Sequence, residues 1–282
     1  RFLMAEKSKR KERTRMLTVE RFKRAREALQ GILLDTSLIH SKYFSQLCGN
    51  QVYFKPENLQ VTGAYKVRGA FTKVSMLSEE EKARGLVTAS AGNHAQGVAY
   101  AARTAGVEAT IVMPTTTPLV KVNSTKEYGA HVLLHGGCYD ESFSEALRLA
   151  EDKGMTLVHP FNDLDVALGQ GTIAYEIFKD LPDVDIILVP VGGGGLATGV
   201  STLAKLLNPH VQVYGVEPCG AACVAASLEA GHVVTLDAAV TIADGVAVKT
   251  PGDKLLPYLQ KNLDGIIQIE DDELVDLSLI HI

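Results

Sequence analysis

The chain has 282 residues, of which 46% are hydrophobic and 22% charged, with a formal net charge of -5 at pH 7. That is a globular composition, long enough for about two units of roughly 100–200 residues whose cores need no disulfide or metal staple. The acidic balance argues against a nucleic-acid partner, and apolar runs such as Ile186–Val191 are too short to span a membrane.

Four cysteines (Cys48, Cys138, Cys219 and Cys223) form no CxxC pair and read as reduced thiols, so a cytoplasmic location is expected. Lys7, Lys9, Arg10, Lys11, Arg13 and Arg15 make residues 1–15 a basic extension, expected to be solvated. No apolar stretch follows it, so a secretory leader is not expected.

Helix and strand signals alternate from Phe71 onward. Ser78 with Glu81 forms a capping box for a short helix that Gly85 stops. A strand is predicted over Leu86–Ala89, an alanine-rich helix over Asn93–Thr104 and a strand over Ala109–Met113. A helix follows over Pro118–Tyr128, then a strand over His131–His135, a helix over Tyr139–Lys153 and a strand over Thr156–His159. Beyond Pro160 the prediction is a helix over Ala167–Lys179, a buried strand over Asp185–Val191, a helix over Leu196–Leu207 and a strand over Val211–Glu217. The last six residues, Leu277–Ile282, do not read as a domain end, and the chain is expected to be a C-terminally truncated piece of a longer protein.

Strands bracketed by helices make βαβ units, so the expected fold class is α/β, with two open, twisted, mostly parallel sheets flanked by helices. Right-handed crossovers put the strand-to-helix loops on one edge of each sheet, where such proteins bind ligands. Residues 16–72 and 157–282 are expected to form a large cofactor-binding domain and residues 73–156 a small one, with the active site in the cleft between them.

Two segments carry chemistry. In Val189-Pro190-Val191-Gly192-Gly193-Gly194-Gly195-Leu196 a strand runs through four glycines into a helix. Each glycine costs roughly 0.5–1 kcal/mol in chain entropy relative to alanine. Four together suggest backbone N–H groups that approach an anion, most naturally a phosphate, at a helix N-terminus. Gly192-x-Gly194-x-x-Ala197, with Glu217 ending the next strand, equally fits a dinucleotide fingerprint, so this loop alone leaves an NAD-dependent oxidoreductase open. The second segment is Phe54-Lys55-Pro56-Glu57-Asn58-Leu59-Gln60-Val61-Thr62-Gly63-Ala64-Tyr65-Lys66-Val67-Arg68-Gly69-Ala70. Here Lys66 sits among small residues and an aromatic ring, a setting that can desolvate an amine for Schiff-base chemistry.

The second segment resembles the lysine motif of pyridoxal-phosphate enzymes of the tryptophan-synthase-β fold type, particularly threonine dehydratases (threonine ammonia-lyases). Further segments follow in that family's order. They are Thr88–Gly97, Val112-Met113-Pro114 with Lys121-Val122 and Gly129-Ala130, Gly192–Gly195, and Thr241–Gly252. The resemblance runs from about Met16 to Glu273. It implies pyridoxal 5'-phosphate as cofactor, a small amino-acid substrate, a homo-oligomer, and β-elimination of L-threonine to 2-oxobutanoate and ammonia. Lys66 would hold the cofactor and, once freed, remove the α-proton. Asn93 would bond the ring hydroxyl. Ser90, Ala91, Gly92, Asn93 and His94 would hold the substrate carboxylate. Gly192, Gly193, Gly194, Gly195 and Leu196 would hold the phosphate.

Two departures are informative. Serine racemases that resemble this chain place a serine where Ala91 stands, and a methyl group delivers no proton, so dehydration is expected over racemisation. A serine dehydratase or racemase on the same scaffold is the alternative, and some activity on L-serine is expected. Related racemases have a carboxylate where Cys223 stands, and a thiol suits a hard cation poorly, so no metal site is expected. His131 and His135 bracket a strand and would not converge on a metal. Asp163 and Asp165 precede a helix and read as capping groups. Nothing after Glu273 matches the family's partner for the pyridine nitrogen.

Overall fold

The computed structural model describes residues 16–279, with side chains as far as Asp276. The basic segment 1–15 and the side chains of Leu277–Ile282 lie outside the described residues. In chain order the elements are α1 (Val19–Leu29), β1 (Ile39–His40), α2 (Lys42–Cys48), β2 (Tyr53–Phe54), α3 (Lys66–Ser75), α4 (Glu79–Arg84) and β3 (Leu86–Ala89). Then come α5 (Asn93–Thr104), β4 (Ala109–Met113), α6 (Leu119–Glu127), β5 (His131–Leu134), α7 (Tyr139–Lys153) and β6 (Thr156–Leu157). The rest are α8 (Leu164–Asp180), β7 (Ile186–Pro190), α9 (Gly195–Leu207), β8 (Gln212–Pro218), α10 (Cys223–Ala230), α11 (Leu256–Asn262), β9 (Gly265–Ile269) and α12 (Asp271–Leu279).

These elements form two compact units. One holds residues 27–160 and 172–185. The other holds the described residues up to Arg26, then Phe161–Gly171, and Ile186 onward. Residues 27–72 group with the four-stranded sheet. A close helix pair accounts for part of this: a Cβ on Gly97 would lie 3.1 Å from the backbone nitrogen of Val67, so α5 rests directly on the first turn of α3.

The first unit contains a parallel sheet in the order β5-β4-β3-β6 and a short antiparallel hairpin, β1-β2. Leu86 pairs with both Ala109 and Thr156, so β3 is central. The chain steps outward from β3 to β4 and β5, then returns to the other side of β3 as β6. That reversal makes the carboxyl end of β3 the position where open α/β sheets bind ligands, and Ser90-Ala91-Gly92 leave β3 there. Val87, Ala89 and Val112 of the sheet pack on Ala146 and Leu149 of α7. The local rules hold well in this unit. Ser78 and Glu81 form the complete reciprocal capping box, and Gly85 follows with a φ of 79°.

The second unit contains a parallel sheet in the order β7-β8-β9, with Ile186 opposite Gln212 and Tyr214 opposite Gly265. Here the expectation of a buried strand is corrected. β7 is an edge strand, and Ile186 and Leu188 are 52% and 61% exposed. An unbroken apolar run looks the same in sequence whether one face or two is covered. α8 also starts a turn earlier than predicted, at Leu164, because Asp163 Oδ1 accepts the N–H of Asp165 at 2.8 Å. Asp163 is thus the capping group expected. Asp165 instead pairs with Arg21 at 2.6 Å.

Candidate active site

Lys66 is the first residue of α3 and is half-buried. Its Nζ donates to the carbonyl of Pro160 at 3.1 Å and lies 5.4 Å from the ring centroid of Tyr65. Among the described residues it forms no ion pair, which leaves a primary amine held only by a neutral acceptor. Two residues on, Arg68 is fully buried and anchors this turn. Its guanidinium grips Glu57 at 2.7 and 2.8 Å and Glu176 at 2.6 and 2.8 Å, and it also donates to Thr172. Lys55 joins the cluster through Glu176 at 2.5 Å. The partners in this ion cluster come from segments distant in sequence. A charged residue on the apolar face of a helix was its one visible signal.

The loop leaving β3 lies in the same unit. Ser90 N–H donates to Val112 O, and Ser90 Oγ accepts the N–H of Gly92 at 3.3 Å. Gly92 precedes α5 without a side-chain cap, so the first N–H groups of α5 remain available to an anion. Asn93 is exposed and Ala91 half-buried. His94 differs from its neighbours in this stretch. Its ring is buried, Nε2 sits 3.0 Å from the carbonyl of Val158, and Nδ1 has no partner. Burial and the charge of Lys66 push the imidazole down to about 3, against the pull of that carbonyl, so the ring is neutral. Within this stretch the backbone of His94 can meet a substrate carboxylate, while its ring is turned elsewhere.

The glycine loop belongs to the other unit. Gly194 has a φ of 92°, a left-handed conformation that favours glycine, and α9 begins at Gly195 with no acidic residue in its first turn. A Cβ on Gly193 would meet the Phe161 ring at 2.4 Å, and one on Gly195 would meet Phe161 at 3.1 Å. One on Gly192 would meet the backbone of Val246 at 3.0 Å. The glycines are therefore required by the protein's own packing on one side of the loop, a reason the sequence argument lacked. Among the described residues, the N–H groups of Gly192, Gly193, Gly194, Gly195 and Leu196 find no protein acceptor. Five neighbouring free donors at a helix N-terminus fit a phosphate, and the amine of Lys66, held by one neutral carbonyl, fits an aldehyde, so both donor sets suit pyridoxal phosphate. A Gly193→Ala variant is expected to lose about 1–3 kcal/mol through overpacking against Phe161. A thermal melt beside wild type checks this, and an unchanged melting temperature would remove Phe161 as the reason for glycine.

Glu217, offered by the sequence as a ribose-binding acid, has another task. It is fully buried, and its carboxylate accepts the N–H groups of Val224 and Ala225 at 3.0 and 2.8 Å at the start of α10. Burial pushes its carboxyl up to about 7, against the pull of those two donors. Cys223 beside it is buried, and its Sγ lies 3.7 Å from Gly192 O. Among the described residues no cluster of three or more His, Cys, Asp or Glu side chains could hold a metal, and no helix is long and apolar enough to cross a membrane.

A parallel-sheet α/β fold with a carbonyl-held lysine and a free N–H loop defines a class of cofactor enzyme, and comparison with known proteins agrees. Residues 29–280 match the family described as pyridoxal-phosphate dependent enzyme, and the chain belongs to that family. It is 47% identical over 264 residues to an L-threonine ammonia-lyase of Thermotoga maritima, which covers 94% of this chain and 66% of the relative. The chain thus spans less than two thirds of that relative's length. Among solved structures, the processed threonine deaminase isoform 2 of Solanum lycopersicum is 39% identical, with a TM-score of 0.85 over 91% of this chain and 76% of that one. The serine racemase of Dictyostelium discoideum is 36% identical, with a TM-score of 0.87 over 92% of this chain and 83% of that one.

Proposed function

We propose that the chain carries the catalytic residues of a threonine ammonia-lyase, converting L-threonine to 2-oxobutanoate and ammonia, and that it works in the cytoplasm as a homo-oligomer. The observation that carries this reading is Lys66, a half-buried amine held by one neutral carbonyl on a helix packed against the Asn93 helix. Likeness to threonine ammonia-lyases supports the substrate.

Pyridoxal phosphate, when bound, supplies an electron sink that makes the α C–H of an amino acid acidic. The work of the chain is binding, orientation and proton movement. The N–H groups of Gly192–Leu196 would hold the phosphate, and Asn93 would bond the ring hydroxyl. Donors from Ser90 to His94 fix the substrate carboxylate at the start of α5. The amine of Lys66 accepts the α-proton. The β-hydroxyl then leaves as water, its added proton balancing the one taken from the α-carbon, and the released enamine takes up water to give 2-oxobutanoate and ammonia.

Ala91 favours elimination over the racemase reading that the Dictyostelium neighbour raises, because its methyl group offers no proton to the opposite face of the carbanion. The test supplies the chain with pyridoxal phosphate and either L-threonine or L-serine, then measures 2-oxo acid and D-serine. The expected result is 2-oxobutanoate from threonine, with pyruvate from serine as a lesser product. D-serine from L-serine, with no 2-oxobutanoate from threonine, would replace this function with racemisation.

A further inference from the structure

We propose that His94 is a positioning residue for Lys66, acting through the Val158–Pro160 segment that follows β6. The inference rests on the function proposed above, in which Lys66 is the cofactor lysine. Val158 continues the sheet, its N–H donating to Val87 O at 2.9 Å. Its carbonyl receives His94 Nε2 at 3.0 Å, and two residues later the carbonyl of Pro160 receives Lys66 Nζ at 3.1 Å. One short segment therefore presents one carbonyl to each side chain.

A carbonyl only accepts, so Nε2 carries the proton and Nδ1 is a bare acceptor. That acceptor is buried without a partner, at 3% exposure for the residue. Leaving a buried polar atom unpaired costs about 1–3 kcal/mol, a cost that leucine at this position would avoid. Stability alone does not account for the imidazole. What it supplies and leucine cannot is the N–H that pins Val158 O, and with it the place of the Pro160 carbonyl. Because α5 also lies against the first turn of α3 at Gly97, His94 ties the Lys66 backbone and the Lys66 acceptor to one helix.

The experiment follows attachment of pyridoxal phosphate to the cofactor-free chain, by growth of the near-visible band and by mass after borohydride fixation at Lys66. Variants are His94→Leu, which lacks the donor, and His94→Gln, whose amide nitrogen stands where Nε2 does. His94→Asn carries a shorter amide that cannot reach. Val98→Ala trims a fully buried residue of the same helix as a stability control. Loss of one buried hydrogen bond predicts attachment about tenfold slower in His94→Leu and His94→Asn and within about twofold of wild type in His94→Gln. Val98→Ala is expected to lower the melting temperature and leave the attachment rate unchanged. Wild-type rates in His94→Leu and His94→Asn, or a His94→Gln rate as slow as either, would overturn the proposal. If His94→Leu does not fold, the Gln and Asn variants decide it. A wild-type chain that never develops the band overturns the Lys66 assignment itself, a result distinct from equal rates across folded variants.

Discussion

Replacing Lys66 by alanine is expected to abolish both the near-visible cofactor band and 2-oxobutanoate production, with activity falling at least about 10³-fold. The fold should survive the change. Among the described residues the Lys66 side chain makes a single hydrogen bond, to Pro160 O, and its loss costs on the order of 1 kcal/mol. The informative result is therefore a large functional loss beside a melting temperature close to wild type. Lys66→Arg should fare no better, since a guanidinium stays protonated at all working pH values and cannot serve as base or nucleophile. Product formation by a folded Lys66→Ala chain would move the base elsewhere.

The second large effect is expected at Arg68, and there it is one of stability. Arg68→Leu should cost about 3–5 kcal/mol, read by denaturant unfolding, because it removes the cation that Glu57 and Glu176 share in a mostly buried cluster, leaving Lys55 paired with Glu176. Arg68→Lys keeps the charge but loses both two-pronged grips and should fall between leucine and wild type. The cluster also predicts a pH dependence. Burial opposes ionisation of Glu57, yet the hydrogen bonds and charge of Arg68 outweigh it and hold the carboxyl below its ordinary value of 4.5. A depressed folded value means a stabilisation fully present above pH 4.5 and lost as pH falls through the lower folded value. The wild-type chain should lose that increment on acidification, and Arg68→Leu should have none of it to lose. Equal acid sensitivity in both would show that the Glu57–Arg68 pair contributes nothing.

Much of this was legible in the sequence, for reasons that differ from element to element. The helix over Tyr139–Lys153, the strand over Leu86–Ala89 and the Ser78 capping box were readable because their causes lie within a few residues: apolar periodicity, a hydroxyl three residues before a glutamate, a glycine past the last turn. The motif order pointed to the family because each motif is itself a local arrangement. The Gly192–Gly195 run was recognised as a loop of close approach, though what approaches it from the protein side, Phe161, Val246 and Leu259, was not visible. Glu217 shows the opposite case. Its position at a strand end suggested a ribose contact, and the fold instead spends its carboxylate on the N–H groups of α10.

By itself the sequence determined the alternation of helices and strands, the lysine and glycine motifs and their order, and hence the α/β class and the cofactor family. The tertiary structure alone decided the partners of the ionisable groups. Lys66 meets Pro160 across 94 residues, Arg68 meets Glu176 across 108, and His94 meets Val158 across 64. It also decided that one face of β7 is exposed. Propensity and capping act over one or two turns, so they leave a recognisable local trace. Burial, desolvation and ion pairing depend on which distant segment is brought alongside, and folding settles that through packing the whole chain at once.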